Sequence, residues 1–295
     1  MTTPAGPAPA GTIVTSPALS DAEFRRVRAL MHRLSGVDLR PGKEALVRSR
    51  LSRRLRATGA PSYAAYLDLV EGAHGAAERG ALVDALTTNK TSFFREQSHF
   101  EYLREVLLPA LRARRGERRV RIWCAGCSSG DEAYSIALVL RESFPDLIGR
   151  EPPILATDIS GRMVAQAREA RYDHHALAQV SPALLAKYFT ELRPTRDGEG
   201  TTWQLAPSVR ELVRVEPLNL AADAREWLVS GAEGPYDAIF CRNVMIYFDR
   251  ATQQRLVERF TSMLAPGGCF FIGHAESMAG VRHGLTYVQP AVFRR

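Results

Sequence analysis

Cysteine is scarce in this chain, with four in 295 residues, at positions 124, 127, 241 and 269. Thiols so few and so scattered provide no disulfide framework and suit a reducing, cytoplasmic setting. Cys124 and Cys127 form a CxxC. No Cys or His pair at ligand spacing accompanies it, and a structural zinc site wants four ligands, so no metal is expected. Long apolar runs are missing too. None approaches the roughly 20 residues of a membrane span, so no membrane insertion is expected. The opening MTTPAGPAPAGTIVTSPALS has neither a basic start nor a continuous apolar stretch. It reads as a disordered Ala/Pro/Gly tail over 1–19 rather than as a secretory signal.

What is present is an ordinary globular composition with a net charge of +7, which favours acidic partners. Ser20-Asp-Ala-Glu23 is a capping box opening a helix whose apolar face is Phe24, Val27, Leu30, Met31 and Leu34. A second helix over about 43–57 sets Val47, Leu51 and Leu55 on one side. Beside them runs a basic stripe of Lys43, Arg50, Arg53 and Arg54. Two shorter helical patterns, Tyr63 to Val70 and Leu82 to Leu86, complete a small all-α domain over 20–86.

Residues 87–97 read as a linker. Its Phe93 and Phe94 beside Arg95 suggest a lid over a cleft. Ser98-His-Phe-Glu101 is read as a second capping box, opening a helix through Leu111, and Arg112 to Arg119 is a charged connector.

From there the pattern alternates. Strands are expected at 120–124, 154–157, 212–216, 237–241 and 269–273, with helices near 131–142, 160–170, 182–189 and 250–264. That rhythm predicts an α/β, Rossmann-like domain over 98–295 with a mainly parallel sheet and its ligand outside the carboxyl ends of the strands. Residues 190–211 break the rhythm as a turn-rich β insertion. Thr286 to Phe293 reads as an edge strand tolerating Pro290.

The segment Trp123-Cys-Ala-Gly-Cys-Ser-Ser-Gly130-Asp131-Glu132 runs from a buried strand through a glycine turn into a helix opening on two acids. Phosphate loops use the positive end of the helix dipole, and here carboxylates occupy it. The turn therefore suits a nucleoside cofactor with no phosphate beside it, with Gly126 and Gly130 allowing close approach of a ligand. Asp158, ending the second strand, suits a ribose diol, and is equally readable as the N-cap of the next helix. After the fourth strand come Arg242 and Asn243, then Tyr247, which on pattern alone is also readable as a core aromatic.

The segments TTNKTSFFRE, RIWCAGCSSGDEAYSIAL, ILATDIS, YDAIFCRNVMIYFD and LAPGGCFFIGHAES, in that order and spacing, resemble the chemotaxis receptor methyltransferases of the CheR family over roughly residues 20 to 293. Such enzymes use S-adenosylmethionine to methylate glutamate carboxylates on cytoplasmic chemoreceptor helices. The resemblance implies a class I methyltransferase fold and a cytoplasmic monomer. It implies that Asn89, Thr91 and Arg95 touch the cofactor from the linker, and that Gly126 lines its turn. Glu132 and Asp158 would meet its amino-acid and ribose ends, Asn219 and Leu220 would flank the adenine, and Cys241, Arg242 and Asn243 would line the strand end. Arg95 and Tyr247 would stand beside the transferred methyl.

Asp131-Glu132-Ala133 replaces the family's Glu-Glu-Pro and His274-Ala-Glu276 its His-Ser-Glu; neither removes a group assigned to chemistry. The stripe Lys43, Arg50, Arg53 and Arg54 would dock the glutamate-rich helices. The insertion matches in position a β subdomain that in some members grips a receptor C-terminal peptide; its composition leaves open whether this chain shares that grip. The rival readings are a non-catalytic cofactor-binding scaffold, against which Arg95 and Tyr247 argue, and a nucleic-acid methyltransferase. That class often follows its fourth strand with an Asp/Asn-Pro-Pro-aromatic run, whereas Asn243 is followed by Val-Met-Ile-Tyr, and no nucleic acid is expected.

Overall fold

The computed structural model describes residues 18–114, 119–192 and 200–295. Most of the expected tail, the middle of the 112–119 connector and the turn signals Arg193-Pro194 and Asp197-Gly198 lie outside the described residues.

Four helices come first: α1 (Asp21–Ser35), α2 (Glu44–Thr58), α3 (Tyr63–Glu71) and α4 (Ala76–Leu86). The capping box at Ser20 forms as expected, its hydroxyl accepting from the Glu23 N–H and the Glu23 carboxylate accepting from the Ser20 N–H. The four helices bury a shared core that includes Val27, Leu30, Val47, Leu51, Tyr66 and Leu82.

The chain then re-enters helix through α5 (Ser98–Tyr102), a π stretch (Leu103–Leu107) and α6 (Leu108–Ala113). The expected capping box at Ser98 does not form. Gln97 is already in right-handed helical geometry, and the start carries no side-chain cap. Glu96, at φ 60°, makes the turn that the cap was expected to make.

The sheet follows: β1 (Ile122–Ala125), α7 (Asp131–Ser143), β2 (Ile154–Asp158), α8 (Gly161–Glu169), β3 (Arg171–Asp173), α9 (Pro182–Tyr188), β4 (Phe189–Leu192), β5 (Thr202–Leu205), α10 (Pro207–Arg210), β6 (Val213–Pro217), α11 (Ala224–Val229), β7 (Tyr236–Cys241), α12 (Arg250–Met263), β8 (Leu264–Ile272), β9 (Thr286–Gln289) and β10 (Val292–Arg294). Seven strands form one sheet in the order β6-β2-β1-β7-β8-β10-β9. The first five are parallel, and β10 and β9 are antiparallel. Each residue of β1, β2 and β7 is buried, as expected of strands covered on both faces. Side chains alternate between faces. Ile122 and Cys124 join the layer beneath α7, while Trp123 and Ala125 join the layer that includes Trp227 of α11 and Phe260 of α12.

Two readings are corrected by pairing that sequence spacing does not reveal. The chain end is a hairpin, not a single edge strand. Pro290 and Ala291 form its turn, where the missing N–H costs no ladder bond. The β insertion is larger than its sequence signal. β4 and β5 form a second antiparallel sheet with β3, which lies some twenty residues earlier and pairs Tyr172 with Trp203.

No helix of the described residues is long and apolar enough to cross a membrane. The helical layer meets the sheet through an antiparallel bridge between Val37 and Phe248, and through Asn219, whose Nδ2 donates to the Leu34 carbonyl at 3.0 Å.

Candidate active site

β1 pairs with β2 on one side and β7 on the other, so the chain leaves it in both directions and a crevice opens at the carboxyl ends. A cavity of about 470 Å³ occupies that crevice, roofed by the end of α1, the loop to α2 and residues 86–95. This volume lies within the range of small-molecule sites.

Asn89, Thr91, Arg95, Gly126, Glu132, Asp158, Asn219, Leu220, Arg242, Asn243 and Tyr247 all line this one cavity, and so does Lys43. They come from the linker, the glycine turn, the ends of β2 and β6 and the loop after β7. Cys241 is not among the lining residues. It is fully buried in the layer below, because its position in β7 turns it to the opposite face.

The glycine turn is tied to its neighbours by backbone bonds. Gly126 and Cys127 both donate to the Thr157 carbonyl, and Ser128 donates to Asp158 Oδ2 at 2.8 Å. Asp158 Oδ1 accepts from Ser160 N–H at 2.9 Å, and the N-cap of α8 is Ser160, not Asp158. Burial pushes the Asp158 carboxyl up, and those two N–H bonds offset it in part. Each oxygen keeps a lone pair for a further donor.

The glycines are also required by packing, while Gly126 lines the cavity. Gly126, at φ +89°, would drive a Cβ into the Val244 side chain, and Gly130, at φ +91°, would place one 2.9 Å from the Tyr134 ring. Cys124 and Cys127 are buried thiols whose pKa burial pushes well up.

Three of the expected site residues are engaged with other groups of the chain. Glu132 is not a free acid. Its Oε2 accepts from Arg242 Nη1 at 2.8 Å, while burial raises its carboxyl and the guanidinium offsets this only in part. Arg50, expected on the docking stripe, is engaged within the helical layer. Its Nη1 donates to the carbonyls of Leu86 and Thr87, closing the end of α4, and its Nη2 donates to Thr88. Arg54 is held in a two-pronged pair by Glu78, at 2.9 and 2.7 Å, which also accepts from Tyr66. Arg53 is exposed and away from the cavity. The linker does cover the cleft, but its phenylalanines pack inward and do not face the cavity. Phe93 is fully buried, its ring 4.8 Å from Tyr172 and 5.6 Å from Phe189, and Phe94 packs on Phe100.

Two residues without an assigned role prove central. Glu96 accepts from Arg242 Nη2 at 2.9 Å, from Asn243 Nδ2 at 3.3 Å and from the His274 N–H at 3.2 Å. Glu276 accepts from four backbone N–H groups, those of Asn243, Val244, Ile246 and Gly273, and so holds the loop that carries Tyr247. Both lie inside motifs quoted above, TTNKTSFFRE and LAPGGCFFIGHAES, but their main partners are 30 to 178 residues away, so the motifs mark the positions without showing what they hold. Glu96, His99 and His274 each bring a possible ligand atom within 4.8 Å of the others, but Arg242 already supplies the cation beside that carboxylate.

The donor set fits the sulfonium nucleoside that the resemblance implies. Ile159, Leu218 and Leu220 give an apolar wall for a flat base, Asp158 an acceptor for a diol, and Glu132 an acid near the glycine turn. Exposed along the lining stand Arg40, Lys43 and Lys90, with half-buried Arg95, whose Nη1 donates to the Lys90 carbonyl at 2.8 Å; none of the four is ion-paired to a described residue.

Comparison with known proteins agrees. Residues 22–87 match the family model described as the CheR methyltransferase all-alpha domain, and residues 89–292 match the CheR methyltransferase SAM binding domain. The chemotaxis protein methyltransferase of Escherichia coli (strain K12) is 39% identical, over 91% of this chain and 89% of its own. A probable chemotaxis protein methyltransferase of Rhizobium etli is 42% identical, over 83% and 89%. Chemotaxis protein methyltransferase 2 of Pseudomonas aeruginosa is 39% identical, over 92% of both. With both parts matched in order, and the cavity formed where they meet, the chain belongs to the CheR family of chemotaxis protein methyltransferases, with S-adenosylmethionine as its cofactor.

Proposed function

We propose that this methyltransferase esterifies glutamate side-chain carboxylates on the cytoplasmic helices of chemoreceptors. The observation that carries the reading is the charge at the cavity mouth: four cations, Arg40, Lys43, Lys90 and Arg95, without an acidic partner among the described residues. Such a rim attracts and aligns an acidic helix. It replaces the α2 stripe as the docking surface, with Lys43 common to both.

The chemistry of the lining supports the same acceptor. When bound, the cofactor supplies an electrophilic methyl carbon on a good leaving group. What remains for the protein is to hold a nucleophile in line with it, and such positioning contributes on the order of 7–11 kcal/mol. The acids in the lining are engaged: Asp158 by two N–H groups, Glu132 by Arg242 and Asp38 by Arg28 at 3.6 Å. Among the described residues, no histidine lines the cavity. A nucleophile that arrives already ionised needs no base, and a glutamate carboxylate is ionised at neutral pH. Arg95 then orients that carboxylate by charge-assisted hydrogen bonds, and the Tyr247 hydroxyl sits beside the reacting centre.

The test is incubation of the protein with methyl-labelled S-adenosylmethionine and a receptor cytoplasmic fragment. The expected product is an alkali-labile methyl ester on glutamate peptides, with no essential base near pH 7 in the rate profile. Label that resists alkali, or that enters nucleic acid instead, would overturn the proposal.

A further inference from the structure

Arg95 sits between two residues in the left-handed backbone region, Phe94 at φ 52° and Glu96 at φ 60°, neither of them glycine. Asn243, which faces them from the end of β7, is left-handed as well, at φ 60°. Such backbone persists only where its surroundings over-determine it, and it clusters at functional sites.

Here the surroundings are explicit. The Arg242 guanidinium, its side chain 2% exposed, donates through Nη2 to the Arg95 carbonyl and to Glu96 Oε2, and through Nη1 to Glu132. It also lies over the Phe100 ring, 5.7 Å from its centre. Glu96 Oε1 accepts from Asn243, closing the ring of contacts, and on the other flank the Phe94 N–H donates to Ser135 Oγ at 2.9 Å. Both hydrogens of Arg242 Nη2 thus go to protein acceptors, while Nη1 uses one of its two on Glu132 and keeps the other.

We infer that Glu96 and Arg242 form a positioning pair: they clamp the strained 94–96 backbone to the end of β7 so that the Arg95 side chain is presented to the methyl-transfer cavity. Glu96 acts through Arg95 and not on the substrate. The inference rests on the role proposed above for Arg95, and it adds a positioning role to the cofactor contact that the resemblance implies for Arg242, which also lines the cavity. The clamp also explains why a cation is buried here between two carboxylates. A buried charge pair is weak evidence for stability, whereas fixing one of several backbone arrangements is a use that repays its desolvation.

Glu96→Gln is the direct test, because it leaves the Arg242–Glu132 pair in place. We expect kcat for methyl transfer to fall at least tenfold. Cofactor affinity, measured by calorimetry, should fall by a clearly smaller factor than kcat, because Arg95 would touch the cofactor as well as the acceptor. Amide hydrogen exchange should accelerate selectively over residues 93–99. Ser135→Ala loosens the opposite flank without touching a charge and should act in the same direction. In an Arg95→Ala background, Glu96→Gln should lower kcat no further, since its effect passes through Arg95.

Three results would overturn the clamp: unchanged linker exchange in both variants, loss of cofactor affinity in step with loss of activity, or a full additional loss in the double variant. The exchange and affinity measurements need no acceptor. A failure of the glutamate reading would show separately, as absence of ester with the wild-type protein.

Discussion

The Asp38 N–H donates to the Tyr247 carbonyl at 2.8 Å, beside the Val37–Phe248 bridge. The loop that ends α1 and the loop that carries the candidate methyl-transfer tyrosine are therefore one continuous edge, and the helical layer helps shape the reacting end of the cavity. Because its carbonyl holds this edge, the Tyr247 side chain can be changed without moving the backbone. Tyr247→Phe should lower kcat by roughly tenfold or more, about 1.4 kcal/mol per tenfold, while cofactor binding by calorimetry stays near wild type. Unchanged turnover would remove the hydroxyl from the mechanism.

The basic residues of α2 should separate by partner. Arg50→Ala and Arg54→Ala remove hydrogen bonds within the helical layer and should each cost about 1–3 kcal/mol, read as a lowered melting temperature. Arg40→Glu with Lys43→Glu should leave melting unchanged and slow receptor methylation about tenfold at low salt, with the difference shrinking as salt rises. The reverse pattern would restore the α2 stripe as the docking surface.

Glu276→Gln should be costly although Glu276 is not itself among the lining residues. An amide offers one oxygen where the carboxylate offers two to four N–H groups, so at least one donor is left unsatisfied, at about 1–3 kcal/mol. The loop bearing Tyr247 should loosen, so kcat should fall together with the urea midpoint. A variant with both values intact would show that the loop holds itself.

His99 is fully buried, with neither ring nitrogen hydrogen-bonded, and burial pushes its pKa down to about 3. An unfolded histidine titrates near 6.5. Between these values the unfolded chain binds the extra proton. This residue therefore lowers stability as pH falls, by up to about 1.4 kcal/mol per pH unit, and has no effect above pH 7. His99→Phe should flatten the stability curve between about pH 6.5 and 4 relative to wild type. Parallel curves for the two proteins would contradict that.

How far the sequence carried can be seen in particular elements. β1, β2 and β7 are legible because strands buried on both faces are continuous apolar runs, and α1 because its cap and acid lie three residues apart. The strand-end polar residues are legible because in such a sheet they meet at one crevice. Ser98-His-Phe-Glu101 has the same signature as Ser20-Asp-Ala-Glu23 and makes no cap. The difference lies in the backbone before it, where Glu96 turns the chain, and spacing carries no record of that. β3 was hidden for a related reason: a three-residue strand is defined by its pairing with β5, some thirty residues on.

By itself, then, the sequence determined the alternating α/β order, the acid-opened glycine turn, the family and most of the residues that reach the cavity. Those follow from local periodicity and from motifs whose spacing is kept along the chain. Tertiary structure alone decided which charges are free. Arg50, Arg54 and Arg242 look the same in sequence as Arg40, Lys43 and Lys90, yet the first three are held by carbonyls or carboxylates of the chain and the second three line the cavity without an acidic partner among the described residues. Hydrogen bonds are short-ranged and directional, so a partner 24 to 147 residues away becomes visible only when the fold brings it within 3 Å.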